Sequence, residues 1–242
     1  TLRWADAGKT SACRQSKVNI TFLMKALVLF SGGLDSTVLA AQLQADGVET
    51  RLLSIDYGQR HAKELDRAEK IAQALGLPHR ILRLPDLGPL LGGSSLTDDQ
   101  VELPEGHYAE ESMKATVVPN RNMILLALAG GHALSIGFDT IAYAAHAGDH
   151  TIYPDCRPEF ADAMEKALGL ADWQNLNPLR PFVNFGKEEL VRKGNELGAP
   201  LQLTWSCYAG REKHCGKCGT CVERKEAFAL AKVEDPTEYE DD

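Results

Sequence analysis

The uninterrupted apolar run Ala26, Leu27, Val28, Leu29 and Phe30, followed at once by Ser31, Gly32 and Gly33 and then by a helical stretch over 35–45, constrains this chain more than any other feature. A strand that is apolar at every position, rather than at alternate ones, is buried on both faces. The same unit recurs. A second strand is expected over 51–56, a helix over 62–75 with Leu65, Ala68, Ile71, Ala72 and Leu75 on one face, and a third strand over 80–84. Strand starts about 27 residues apart with a helix between them are the mark of βαβ crossovers. The fold class expected is therefore α/β, a doubly wound parallel sheet.

Beyond the third strand the rhythm breaks. Residues 85–118 hold several Pro and Gly and suggest no element, and a loop of that length is functional or mobile as a rule. The helix expected over 121–136 is apolar almost all round and should be buried. A fourth strand over 139–145 and helices over 158–168 and 187–197 complete the pattern. The division expected is a leader or upstream extension, disordered, over 1–23, an ATP-binding α/β domain over 24–200, a metal-binding segment over 201–233 packed on it, and a solvated acidic tail over 234–242. Residues 1–24 carry a charge of +3 and the remainder −11. That balance is a poor match to nucleic-acid binding through bulk charge. No run approaches 18 apolar residues, so no membrane span is expected.

Two local motifs carry chemistry. Glycines at the end of a buried strand let the backbone approach an anion, and the following helix directs its first N–H groups toward it. The competing reading is a Gly-Gly turn with an ordinary helix cap. The loop is neither a Walker A motif nor a dinucleotide fingerprint. Second, Cys207, Cys215, Cys218 and Cys221 place four thiols within fifteen residues, with Gly216 and Gly219 each directly after a cysteine. Tetrahedral Zn²⁺, one per chain and structural, suits such a set, with an iron–sulfur cluster as the main rival. Cysteines gathered in this way in a chain long enough for its own core point to a reducing, cytoplasmic setting. His214 is read as a bystander to the metal. His146, Asp149, His150 and Asp155 are read as a polar, substrate-contacting loop rather than a metal site. Cys156 is read as a buried thiol with no base nearby.

The stretch Ser31-Gly32-Gly33-Leu34-Asp35-Ser36 resembles the SGGxDS loop of the N-type ATP pyrophosphatases, the PP-loop family, which splits ATP between the α- and β-phosphates. Further segments occur in order: Tyr57-Gly58-Gln59-Arg60-His61, Val118-Pro119-Asn120-Arg121-Asn122, Tyr153 through Phe160, and Thr204-Trp205-Ser206-Cys207-Tyr208. Together they make residues 24–239 similar to the 7-cyano-7-deazaguanine synthase family of queuosine biosynthesis. Departures are the leader and the residues at Ala144, His146 and Ile152, where glycine, asparagine and glycine are familiar.

The resemblance implies a PP-loop fold, a homodimer, and conversion of 7-carboxy-7-deazaguanine, ammonia and Mg-ATP to the nitrile. It implies an ATP loop formed by Phe30, Ser31, Gly32, Gly33, Leu34, Asp35, Ser36, Thr37, Val38, Leu39 and Ala40, and zinc on the four cysteines. Asp35 would order the loop or help hold Mg²⁺, and Ser36 would meet the phosphates. Arg121 and Lys187 are candidates to neutralise phosphate charge, although each could equally be a structural cation. About 220 core residues leave no room for an ammonia-producing domain, so free ammonium is the expected donor. The alternatives are another PP-loop ligase, a tRNA thiolase, or a zinc-knuckle module that binds nucleic acid.

Overall fold

The computed structural model describes residues 24–60, 63–98, 100–107 and 111–240. The leader expected over 1–23 lies outside the described residues. Among the described residues, five strands form one parallel sheet: β1 (Lys25–Leu29), β2 (Glu49–Asp56), β3 (His79–Arg83), β4 (Thr140–Ala142) and β5 (Asn177–Leu179). Their spatial order is β3-β2-β1-β4-β5. The central strand β1 pairs Leu27 with Arg51 on one side and with Ile141 on the other. The helices are α1 (Leu34–Ala45), α2 (Lys63–Leu75), the single turn α3 (Leu87–Leu90), α4 (Arg121–Ser135), α5 (Pro158–Gly169), α6 (Lys187–Glu196) and α7 (Gly219–Ala231).

The all-apolar reading of β1 explains the layering. Alternate residues of a strand face opposite sides. Ala26 and Val28 join Leu34, Val38, Ile71, Leu190 and Phe228 in a core beneath α1, α2, α6 and α7. Leu27 joins Leu53, Ile141, Leu126 and Met164 beneath α4 and α5. The chain thus winds both faces of the sheet, as expected. Between β3 and β4 it crosses from the β3 edge to the far side of β1, so β1 and β4 are neighbours whose outgoing chains diverge. A crevice opens at such a switch point, at the carboxyl ends of the strands.

Several expectations require correction. Residues 85–118 contain α3 and a 3-10 helix over Glu111–Thr116, and Ser94, Ser95 and Leu96 within them are fully buried. The helix expected to be buried all round leaves Met123 45% exposed, because the sheet and α5 cover only part of α4. β5 and α7 were not expected. The acidic segment over 234–240 is docked rather than solvated: Asp235 meets Arg224 and Tyr239, and the backbone of His214 bonds to Glu238 and Glu240.

Candidate active site

The loop after β1 is shaped by its own small side chains. Phe30 keeps strand pairing through its N–H to the Leu53 carbonyl at 2.8 Å, and the chain then turns through Gly32 at φ +86°. A Cβ at Gly32 would stand 2.5 Å from the Glu64 carbonyl oxygen, so only glycine admits this approach of α2. Ser31 Oγ accepts the Gly33 N–H at 3.1 Å, while Ser36 and Thr37 hydroxyls donate to the Gly33 carbonyl at 3.2 and 2.8 Å. Gly33 stands at the N-cap of α1 without a capping side chain. The first N–H groups of α1 are therefore left for an outside acceptor, at the positive end of the helix.

A cavity of about 260 Å³ opens beside this loop. Phe30, Ser31, Gly33, Leu34, Asp35 and Ser36 line it. Gly32 instead packs on α2, and Thr37, Val38, Leu39 and Ala40 are buried within α1 and do not line the cavity.

Charge gathers on one wall. Lys187, the first residue of α6, donates to Asp35 Oδ2 at 2.7 Å and lies 3.4 Å from Glu223 Oε2. The buried ring of His146 places Nε2 3.2 Å from Lys187 Nζ, 3.5 Å from Asp149 and 3.7 Å from Asp35. Its Nδ1 accepts the Gly148 N–H at 3.1 Å. Burial alone would push the Lys187 ammonium down, but Asp35, Glu223 and Asp149 outweigh it and hold the group firmly protonated. Burial likewise works to raise the Asp35 carboxyl, and Lys187 and His146 overcome it, so Asp35 titrates below the usual carboxylate range. Glu223 is raised, chiefly by burial. Asp35 Oδ1 is buried and has no protein partner.

The opposite wall is aromatic. Arg121, the first residue of α4, lines the cavity beside Tyr57, and its guanidinium lies 5.7 Å from the centre of the Tyr153 ring. The Tyr153 hydroxyl bonds Thr116 at 2.6 Å and Tyr208 at 3.1 Å. Asn122 is fixed by Asp155, through its N–H at 3.0 Å, and by Cys156 Sγ at 3.3 Å. Cys156 lines the cavity, and burial together with Asp149 and Asp155 pushes its thiol far up, which disfavours the thiolate.

The third part of the site comes from the C-terminal element. Sγ atoms of Cys207, Cys215, Cys218 and Cys221 lie within 4.8 Å of one another, all buried. All four are free thiols, so none is spent in a disulfide. Backbone N–H groups of Cys215 and Cys218 point to Cys207 and Cys215 sulfurs at 3.3 Å each, which suits thiolates holding a cation. The donor set therefore fits a metal ion. His214 stands outside it: its ring stacks 4.2 Å from Trp205, and burial brings its pKa down to about 4. Cys218 is the N-cap of α7, and α7 carries Glu223 into the cavity.

The structure brings Asp35, Ser36, Arg121 and Lys187 to one cavity. Of the polar loop, Asp149 lines it, His146 sits directly behind, and Asp155 holds Asn122. Sequence reasoning missed Glu223, Thr220 and Tyr143, which also line it. Nothing local marks them, since the pair Lys187–Asp35 alone spans 152 residues.

Comparison with known proteins yields four findings. A family model described as queuosine biosynthesis protein QueC matches residues 25–232. A 7-cyano-7-deazaguanine synthase of Brucella anthropi is 54% identical over 220 residues, covering 90% of this chain and 94% of that protein. A synthase of the same name from Allorhizobium ampelinum is also 54% identical, covering 90% of this chain and 93% of that protein. Among solved structures, NMN synthetase from Francisella tularensis aligns with a TM-score of 0.48 at 16% identity, covering 87% of this chain and 78% of that one.

Proposed function

The chain belongs to the family of queuosine biosynthesis protein QueC, and from that premise we propose that it converts 7-carboxy-7-deazaguanine, ammonia and ATP into 7-cyano-7-deazaguanine. The observation that carries this reading is a single cavity that joins the phosphate loop and the Lys187–Asp35 pair to an aromatic wall bearing Arg121.

The chemistry follows in balanced steps. A carboxylate oxygen bonds to the α-phosphorus as the bond to the bridging oxygen breaks, expelling pyrophosphate. Ammonia then forms the C–N bond and AMP departs with the carboxyl oxygen, leaving the amide and releasing a proton. A second ATP activates the amide oxygen in the same way, with loss of pyrophosphate, and loss of AMP and of both amide protons leaves the nitrile. The loop residues Ser31, Gly33 and Ser36 and the start of α1 hold the phosphates, and Lys187 offsets their charge. Fixing acid and nucleotide in one cavity supplies the orientation that a bimolecular attack lacks. Mg²⁺ arriving with ATP would neutralise phosphate charge, and the unpartnered Asp35 Oδ1 is the oxygen placed to meet it.

The four cysteines would hold one structural Zn²⁺. On this reading residues 24–200 are the ATP-binding unit and 201–233 the metal-binding segment, whose α7 completes the site through Glu223. No helix among the described residues is long and apolar enough to cross a membrane. We place the protein in the cytoplasm as a homodimer acting on small molecules, and sedimentation at micromolar concentration tests the dimer.

The decisive experiment incubates the purified chain with Mg-ATP, ammonium and 7-carboxy-7-deazaguanine, followed by mass spectrometry. A nitrile that requires both ATP and ammonium is the expected product. Conversion that halts at the amide would leave a ligase and remove the dehydration step, and no ATP turnover by folded, metal-loaded protein would remove the substrate assignment.

A further inference from the structure

We propose that Arg121 is the carboxylate anchor of this cavity: it grips the carboxyl group of a flat heteroaromatic acid whose ring lies against Tyr57, Tyr153 and Tyr208, apart from the phosphate wall. The inference rests on the substrate class given above and deepens it by assigning the residue that recognises the acid.

Arg121 is a cation in an unfavourable place. It is the first residue of α4, where the helix dipole opposes positive charge. It is half-buried on the cavity wall, and a cation drawn partly out of water ordinarily has an anion beside it. The other cations of this region do: Lys187 has Asp35 and Glu223, and Arg224 has Asp235. Around Arg121 the dominant neighbours are the phenols of Tyr57, Tyr153 and Tyr208 and the thiol of Cys156. Burial pushes the Tyr57 phenol and the Cys156 thiol upward, so neither supplies an anion. Asp155, the acid on the neighbouring turn, accepts from the N–H of Asn122. Among the described residues no carboxylate forms an ion pair with this guanidinium, although Glu64 and Asp149 line the same cavity, and a bound anion would complete such a pair.

The form of the wall selects which anion. A phosphate needs little besides charge and N–H groups, and those are supplied across the cavity by the loop, α1 and Lys187. Next to Arg121 stand tyrosine rings and the apolar Leu125 and Leu126. Those surfaces accept a plane and reject a tetrahedral, fully hydrated group. A guanidinium fork holds both oxygens of a carboxylate in that plane, leaving further lone pairs free for the α-phosphorus. As the acid becomes amide and then nitrile the negative charge vanishes, so Arg121 favours the substrate over the product and its grip weakens as the reaction proceeds.

The test measures binding of three ligands to the full chain without ATP, by calorimetry: 7-carboxy-7-deazaguanine, its nitrile, and 7-deazaguanine without a 7-substituent. The wild-type protein is expected to prefer the acid over either neutral compound by roughly 10- to 100-fold. In Arg121→Met this preference should collapse to about threefold or less, while affinity for the neutral compounds holds, which also shows that the variant is folded. Arg121→Lys should restore part of the preference. In turnover, KM for the acid should rise in Arg121→Met with KM for ATP unchanged. Retention of the acid preference by Arg121→Met, or a rise in KM for ATP with no change for the acid, would overturn the proposal. If Arg121→Met does not fold, an undiminished preference in Arg121→Lys overturns it and a reduced one supports it. If the wild-type protein binds none of the three heterocycles, the substrate assignment falls on its own. Arg121 is then judged with indole-3-carboxylate against indole: an acid preference that Arg121→Met abolishes supports the anchor, and equal binding refutes it.

Discussion

At Gly32 two demands meet in one residue: a left-handed turn at φ +86° and a backbone approach that leaves no room for a Cβ. Gly32→Ala should therefore destabilise the fold by about 1–3 kcal/mol from backbone strain, before any clash with α2 is counted. Thermal denaturation would show a fall of several degrees, and ATP turnover should drop with it because the loop is displaced. Lys187 makes a different argument. It neutralises Asp35, Asp149 and Glu223, and in Lys187→Met those acids face one another. Lys187 and Asp35 side chains remain 15% and 24% exposed, so solvent screening reduces the loss to about 1–3 kcal/mol, below that of a fully buried pair. Activity should fall at least about 100-fold if the ammonium offsets phosphate charge. The sign of the pH effect is also fixed. In the wild-type protein Asp35 titrates below its usual range, so its contribution is complete above about pH 3.8 and is lost below that. Without Lys187, burial dominates and Asp35 should titrate above its unfolded value, which makes the variant relatively more stable as pH falls. The gap in melting temperature between the two proteins should accordingly narrow between pH 7 and about 5, and a constant gap would refute the pairing.

At the scale of elements, the cysteine cluster and α7 act as one device. Cys218 caps α7 and Cys221 lies in its first turn, while Ala227 and Phe228 further along it enter the core shared with α1 and α6. Buried Arg224, 1% exposed, ties the same helix to the Leu201 carbonyl, Thr204 and Asp235. Loss of metal should loosen the start of α7 and withdraw Glu223 from the cavity. Cys218→Ser is expected to bind well under one metal per chain by elemental analysis, to melt several degrees lower, and to require more ATP for half-maximal rate. Normal metal content in that variant would remove Cys218 from the site. How legible these parts were in the sequence depended on whether their determinants are contiguous. The strand–loop–helix at Phe30 and the four cysteines are local patterns, so both could be read directly. Helix α7 hides its period because Cys221 and Arg224 occupy buried positions where apolar residues are sought. β5 is three residues long, includes Pro178, and lies at the sheet edge. In α4, apolar and small residues surround the axis, and composition could not tell which face the sheet leaves open. The cluster of Lys187, His146 and Glu223 exists only once three distant segments meet.

On the whole molecule, the uneven charge resolves into a clasp. The acidic C-terminal segment does not simply repel itself into solvent; it closes over the metal-binding element. Asp235 receives Arg224 Nε at 3.3 Å, the Tyr239 hydroxyl at 2.6 Å and the Thr237 N–H at 3.1 Å. The His214 ring sits between Trp205 and Tyr239. One segment thereby packs against His214 and pins Arg224, whose other donors hold the chain leading to the cysteines. Asp235→Asn keeps the shape of the side chain and removes the charge that faces Arg224, so it should destabilise by about 1–2 kcal/mol. For a domain of this size that lowers the melting temperature by about 2–8 °C. Burial acts to raise the Asp235 carboxyl, but the bonds from Tyr239 and Thr237 and the charge of Arg224 prevail and bring it below the ordinary value of 3.8. A carboxyl depressed in the folded state stabilises fully above its unfolded pKa and loses that contribution as pH falls through the folded one. The difference between wild-type protein and Asp235→Asn should therefore stay level from pH 7 to about 5 and close only below pH 3.8. If the segment were merely a solvated tail, the two proteins would melt together at every pH.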